Sequence, residues 1–144
     1  MAHIIVVEDN AQSARLVEKL LRRNGHHVES YSTGEEGLTR VFEAAPDVVL
    51  IDLGLPDIDG QTVIALIHQQ PSLAATKLIA FTAWPQETAR SIAAAYGCDG
   101  VITKPINTRT FPQVVESYCP DSTSLLETQE SKPFDDFEGP AKIG

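Results

Sequence analysis

The feature that most constrains this chain is an unbroken alternation of short β-branched runs with longer stretches whose apolar residues recur at helical spacing, running from His3 to about Cys119. "HIIVV" reads as a strand buried on both faces, and "NAQSARLVEKLLRRNG" follows as a helix whose apolar stripe holds Ala14, Leu16, Val17, Leu20 and Leu21. Gly25 is the expected C-terminal cap of that helix. The same pairing recurs as "HHVESYS" with "GEEGLTRVFEAA", "DVVLID" with "GQTVIALIHQQ", and "KLIAFTA" with "QETARSIAAAYG". "GVITK" is then followed by "NTRTFPQVVESYC", a last helix interrupted by Pro112 or beginning near it. Five strand–helix units with apolar strands imply an α/β fold, a doubly wound five-stranded parallel sheet covered by helices on both faces.

With 144 residues the chain suffices for one domain with a real core and not for two. The expected boundary lies near Cys119: residues 1–119 form the domain, and 120–144 an acidic, disordered tail. That tail carries Asp121, Glu127, Glu130, Asp135, Asp136 and Glu138 against Lys132 and Lys142, with Phe134 and Phe137 read as solvated rather than as a docking motif. A formal charge of -9 argues against direct binding of nucleic acid or an anionic membrane. The N-terminus shows neither a signal peptide nor a spanning helix, and the protein is expected to be cytoplasmic. Cys98 and Cys119 lie far apart without further ligand pairs and read as core thiols.

In an open parallel sheet, residues that follow the carboxyl ends of the strands converge in one crevice. Here those residues are Glu8 and Asp9, Asp52, Thr82 and Lys104. Taken singly they are ordinary: helix caps, a strand threonine, a surface lysine. Their joint order on the strand ends is not. Two negative charges about 4 Å apart repel by roughly 4 kcal/mol at an effective dielectric near 20, so gathered carboxylates need a cation. Lys104 supplies one charge, and Mg²⁺ suits an all-oxygen cluster that leaves room for a phosphate ligand. Asp52, at the end of the central strand, is placed to be a nucleophile that accepts a phosphoryl group.

The stretches "IIVVEDN", "PDVVLIDLGLPDIDG", "LIAFTA" and "GCDGVITKPI" resemble the receiver domain of bacterial two-component response regulators, of the stand-alone type, over residues 3 to about 118. The resemblance implies a flavodoxin-like sheet of order 2-1-3-4-5 and Asp52 as phosphoacceptor. It also implies Mg²⁺ held by Glu8, Asp9, Asp52 and the carbonyl of Gly54, with Thr82 and Lys104 on the phosphoryl group. A cis bond between Lys104 and Pro105 belongs to the same pattern. The implied donor is a sensor histidine kinase or a histidine phosphotransfer protein, docking on the first helix, whose outer face carries Arg15, Lys19, Arg22 and Arg23. The implied output is a protein contact through the fourth helix, fifth strand and fifth helix. Nothing in the residues fixes the symmetry or register of a homodimer.

Two positions depart from the family pattern. Val101 stands where receivers commonly carry an aromatic readout residue, with Tyr96 read as core or rim. Trp84, two residues past Thr82, is expected to shield a phosphoaspartate from water, with Gly54 leaving space beside it. Two other functions compete with the switch. A Mg²⁺ phosphatase of the haloacid-dehalogenase kind needs a second acid where this chain has Gly54, and a receiver-like module without phosphorylation would not need the acids, Thr82 and Lys104 intact.

Overall fold

Residues 2–120 are described by a computed structural model, and all five strand–helix units are there. They run β1 His3–Val7, α1 Ala11–Arg23, β2 His27–Tyr31, α2 Gly34–Ala44, β3 Val48–Ile51, α3 Gly60–His68, β4 Lys77–Thr82, α4 Gln86–Tyr96, β5 Gly100–Thr103 and α5 Phe111–Glu116. The strands form one parallel sheet in the order β2-β1-β3-β4-β5, as expected. The tail read as disordered, with Phe134 and Phe137, lies outside the described residues apart from Pro120. No helix among the described residues is long and apolar enough to cross a membrane.

Period-two alternation divides the strands between two cores. Ile4, Val6, Leu50, Ile79 and Phe81 point to the α1–α5 side, where they meet Val17, Leu21, Phe111 and Val115. Ile5, Val7, Val49, Ile51, Leu78 and Ala80 point to the other side and meet Val41, Val63, Ile64 and Ile67. Because both faces are covered, the central strands are apolar throughout rather than alternating. The chain moves from β1 outward to β2 and then returns to the far side of β1 as β3. The order therefore reverses between β1 and β3, and the crevice opens beyond their carboxyl ends.

Local chemistry sets the boundaries. Asn10 caps α1 by accepting from the Ser13 amide, and Thr33 caps α2 by accepting from that of Glu36. At the end of α1, Asn24 is the cap residue and Gly25 takes the left-handed position after it, φ +86°. Leu16 departs from the expected stripe: it is exposed on α1 while Ala14, Val17, Leu20 and Leu21 are buried. Tyr96, at the last turn of α4, is likewise exposed rather than core. Of the two expected forms of the last helix, the structure has the one that begins near Pro112, at Phe111, because Asn107 folds a local turn, its side-chain oxygen accepting from the Arg109 amide at 2.9 Å. Pro112 then sits in the first turn of α5, where its missing donor is harmless. A single 3₁₀ turn, Pro71–Leu73, precedes β4 and was not expected from the pattern.

Candidate functional site

Glu8 and Asp9 follow β1, Asp52 follows β3, and the reversal of strand order brings them together. One carboxylate oxygen from each lies within 4.8 Å of the others. Lys104, leaving β5, reaches across the pocket: its Nζ donates to Glu8 Oε1 at 2.5 Å and to Asp52 Oδ2 at 3.3 Å. The Lys104–Pro105 peptide bond is cis. The ammonium also stands over the Phe81 ring, 4.9 Å from its centre.

Each acid is held differently. Glu8 is 2% exposed, and its second oxygen accepts from the Asn10 amide at 2.9 Å. Both Glu8 oxygens are thus engaged by the protein itself. Asp52 is 7% exposed; its amide donates to the Val7 carbonyl, and its Oδ1 accepts from the Gly54 amide at 2.9 Å. Asp9 is exposed at the rim. Burial pushes the Glu8 carboxyl above its usual range and the Asp52 charge acts the same way, against the pull of Lys104 and the Asn10 amide. Burial also works against the Lys104 ammonium, but its hydrogen bond to Glu8 and the charges of Asp52 and Glu8 outweigh it, and its pKa lies above normal. The two shifts describe one contact: a poorly solvated carboxylate retains the ammonium that compensates it.

Thr82 ends β4, one strand over from Asp52, and is 1% exposed. Its Oγ1 accepts from the Trp84 amide at 3.0 Å, and the same hydroxyl can donate its proton to another partner. A side chain at Gly54 would begin 3.6 Å from Asp52 Oδ1 and 4.0 Å from Trp84 Nε1. The indole therefore overhangs the loop beside the Asp52 carboxylate, half-buried against the α2–α4 core. Behind the loop, Gly60 opens α3 in close contact: a Cβ there would stand 2.5 Å from Leu53 Cα and 2.8 Å from the Asp52 carbonyl oxygen. Glycine at this position lets α3 press the Asp52 backbone into place.

All six residues singled out from the sequence thus border one crevice, with direct contacts linking Glu8, Asp52, Gly54 and Lys104 and with Asp9 within ligand distance. Gly54 is observed through its amide on Asp52. Asp57 was missed by sequence reasoning: its carboxylate accepts from the Gly34 and Glu35 amides at 2.9 and 3.1 Å, tying the β3–α3 loop to the start of α2. Those two amides pull its carboxyl below the usual range, the Gly34 bond most strongly. An acid in a turn carries no mark of which helix it caps, so no sequence signal pointed to it. Val101 lies half-buried against the α4-side core, without a ring.

A sequence profile described as the response regulator receiver domain matches residues 4–116. The chain is 29% identical over 119 residues to the polar-differentiation response regulator DivK of Brucella ovis, spanning 83% of this chain and 97% of that protein. Its fold is similar to that of the chemotaxis response regulator CheY4 of Vibrio cholerae, with TM-score 0.77 and 24% identity over 82% of this chain and 98% of that one. It is also similar to the receiver domain of the sensor histidine kinase PA1611 from Pseudomonas aeruginosa, with TM-score 0.74 and 24% identity over 81% and 96% of the two chains. That structure has a magnesium ion coordinated in its active-site cleft.

Proposed function

The chain belongs to the response regulator receiver domain family, and we propose that within this phosphoryl-accepting switch Asp52 is the acceptor, served by Glu8, Asp9, Thr82 and Lys104. The observation that carries the assignment is the convergence of three carboxylates and one ammonium on the crevice where the strand order reverses. A carboxylate oxygen of Asp52 attacks the phosphorus of a phosphohistidine; the new O–P bond forms as the P–N bond breaks and the imidazole leaves with the electron pair. The donor is a sensor histidine kinase or a histidine phosphotransfer protein, and the basic outer face of α1 supports its docking there.

The donor set fits Mg²⁺, being all oxygen, hard and short of one positive pair. Asp9 and Asp52 are the direct ligands, with the Gly54 carbonyl beside them. Glu8, whose oxygens are both hydrogen-bonded, would contribute its charge to holding the ion. When bound, the ion neutralises the carboxylates and the transferring phosphoryl oxygens. Lys104 stands beside Asp52 Oδ2 and pairs with the incoming phosphoryl group, and Thr82 donates its free hydroxyl proton to it. Because the same hydroxyl oxygen holds the Trp84 amide, movement of Thr82 changes the loop leading into α4. That route supplies an output to the α4–β5–α5 face without an aromatic at Val101. The matched span, 4–116, supports a domain ending near Cys119, with the acidic segment beyond it as an appendage. The protein promotes only its own phosphoryl transfer and dephosphorylation.

Incubation with a small phosphodonor, with and without Mg²⁺, followed by intact mass, tests the reading. The wild type should gain one phosphoryl group with Mg²⁺ and little without it, and Asp52→Asn should gain none. Equal labelling of Asp52→Asn, or labelling indifferent to Mg²⁺, would overturn it.

A further inference from the structure

Away from the acidic pocket, one other group of side chains among the described residues brings metal-ligating atoms together. His3 opens β1 and His27 opens β2; the parallel register sets them opposite each other, and Glu29 follows two residues along β2. Period two then puts all three on one face of the sheet. One ligand atom from each lies within 4.8 Å of the others. His3 Nε2 is 2.5 Å and His27 Nε2 3.5 Å from the same oxygen, Glu29 Oε2, with the imidazole centres 4.8 Å apart and the rings tilted by 49°.

Metal bonds of about 2.0–2.1 Å in a tetrahedral site place donor atoms roughly 3.3–3.4 Å apart. The His27–Glu29 separation is already close to that, and the His3–Glu29 contact must open by roughly 0.8 Å as an ion replaces the shared proton. The surroundings hold the ligands in position. The Glu29 carboxylate accepts from Arg40 Nε at 2.7 Å and Tyr31 Oη at 2.6 Å, both on Oε1, which leaves Oε2 facing the imidazoles. Arg40 also donates to Oε2 at 3.2 Å, a bond an ion must displace. The Arg40 bond, with those of Tyr31 and His3, holds the Glu29 carboxyl far below its usual range. At the start of β1, the His3 amide donates to Asp47 Oδ2 at 2.8 Å and fixes the backbone. His27 is exposed and gives an entry path from solvent.

The geometry points to a site for one divalent first-row transition ion, Zn²⁺ in chemical class, ligated by His3 Nε2, His27 Nε2 and Glu29 Oε2 with water in the fourth position. Two imidazoles and one carboxylate suit a borderline ion, whereas Mg²⁺ takes oxygen. The site lies at the opposite end of the sheet from the acidic pocket. His3 and Glu8 are five residue steps apart along β1, roughly 16 Å at about 3.3 Å per residue. The two sites share no ligand, and the second one cross-links edge strand β2 to β1.

The test is titration of the 144-residue chain with Co²⁺ in excess Mg²⁺, which keeps the acidic pocket filled, reading the visible d–d bands. Zn²⁺ is then measured by competition with a chromophoric indicator. One equivalent should bind, and Zn²⁺ should shift the ring resonances of His3 and His27 but not those of His26 and His68. His27→Gln changes an exposed side chain and leaves the fold intact by circular dichroism; it should weaken binding about tenfold or more. The absence of a saturable equivalent, affinity undiminished in His27→Gln, or ring shifts at His26 and His68 instead would overturn the assignment.

Discussion

Replacing Lys104 with methionine removes the only ammonium that faces Glu8 and Asp52 among the described residues, and the loss can be sized from the geometry. At an effective dielectric near 20, contacts of 2.5 and 3.3 Å correspond to attractions of roughly 7 and 5 kcal/mol. Burying the ammonium itself costs several kcal/mol, which methionine no longer incurs, and breaking one side of a buried pair typically costs about 3–5 kcal/mol net. Water reaches the pocket mouth past Asp9, and Glu8 can discharge itself by binding a proton, so the expected loss at pH 7.5 in EDTA is about 2–4 kcal/mol. In urea that is a fall in midpoint of about 1–2 M. The sign with pH follows from Glu8. A carboxyl whose folded pKa is raised weighs on the fold above that pKa and is relieved below it. Without Lys104 that pKa rises further, so the penalty should shrink as the pH is lowered. Adding Glu8→Gln should recover most of the loss, and Mg²⁺ should recover part of it. A penalty below about 1 kcal/mol, one that grows on acidification, or one that Glu8→Gln leaves untouched would refute the account of the pocket as an undercompensated acidic cluster.

Trp84→Ala removes the indole that overhangs the Gly54 side of the loop and should accelerate loss of the phosphoryl group severalfold, measured as the decay of phosphorylated intact mass; an unchanged or slower decay counts against shielding. Gly60→Ala drives a methyl into Leu53 Cα and the Asp52 carbonyl and should destabilise by about 1–3 kcal/mol while slowing phosphoryl uptake, read by urea unfolding and mass. Burial, with the Asp99 charge, pushes the Cys98 thiol up to about 12, and Cys119 is buried. Both should therefore react slowly with iodoacetamide at pH 8 in the folded protein and quickly in urea.

The architecture was legible because its determinants are local and periodic. Each strand end that matters is marked in the chain by an apolar run meeting a polar residue, as Ile51 meets Asp52 and Phe81 meets Thr82. Leu16 was misread because a helix has more positions at apolar spacing than its packed face can cover, and α5 covers the side nearest Val17 and Leu21. The start of the last helix stayed open between Asn107 and the neighbourhood of Pro112, because a residue that caps a turn and one that begins a helix look alike until the backbone is fixed. Asp57 and the His3–His27–Glu29 group were invisible for a different reason: each depends on a tertiary neighbour, the start of α2 for the loop acid Asp57 and the strand register for the histidines. His3 and His27 lie far apart in the chain, and only the pairing of β1 with β2 makes them neighbours.

On the proposed function, the charge balance of the acidic pocket calls for an ion, a hydroxyl and a lysine together. Glu8, Asp9 and Asp52 against Lys104 leave two negative charges, which a divalent cation cancels. A phosphoryl group brings close to two more. Without the cation, its approach to within about 5 Å meets repulsion on the order of 10 kcal/mol at a dielectric near 20, before screening. With it, only about one charge remains once Asp52 is esterified, and that residue must be met by hydrogen-bond donors. Gly54 already donates to Asp52, and Thr82 holds the one hydroxyl proton at the end of the adjacent strand. On the proposed function the phosphoryl group should therefore recruit Thr82, and the Trp84 amide bonded to that hydroxyl should report the event. Thr82→Val keeps the shape and removes the donor. It should still take up a phosphoryl group, more slowly, while the shift of the Trp84 amide resonance that accompanies phosphorylation in the wild type is lost. A Trp84 shift that persists in Thr82→Val would mean that the signal leaves the pocket by another path.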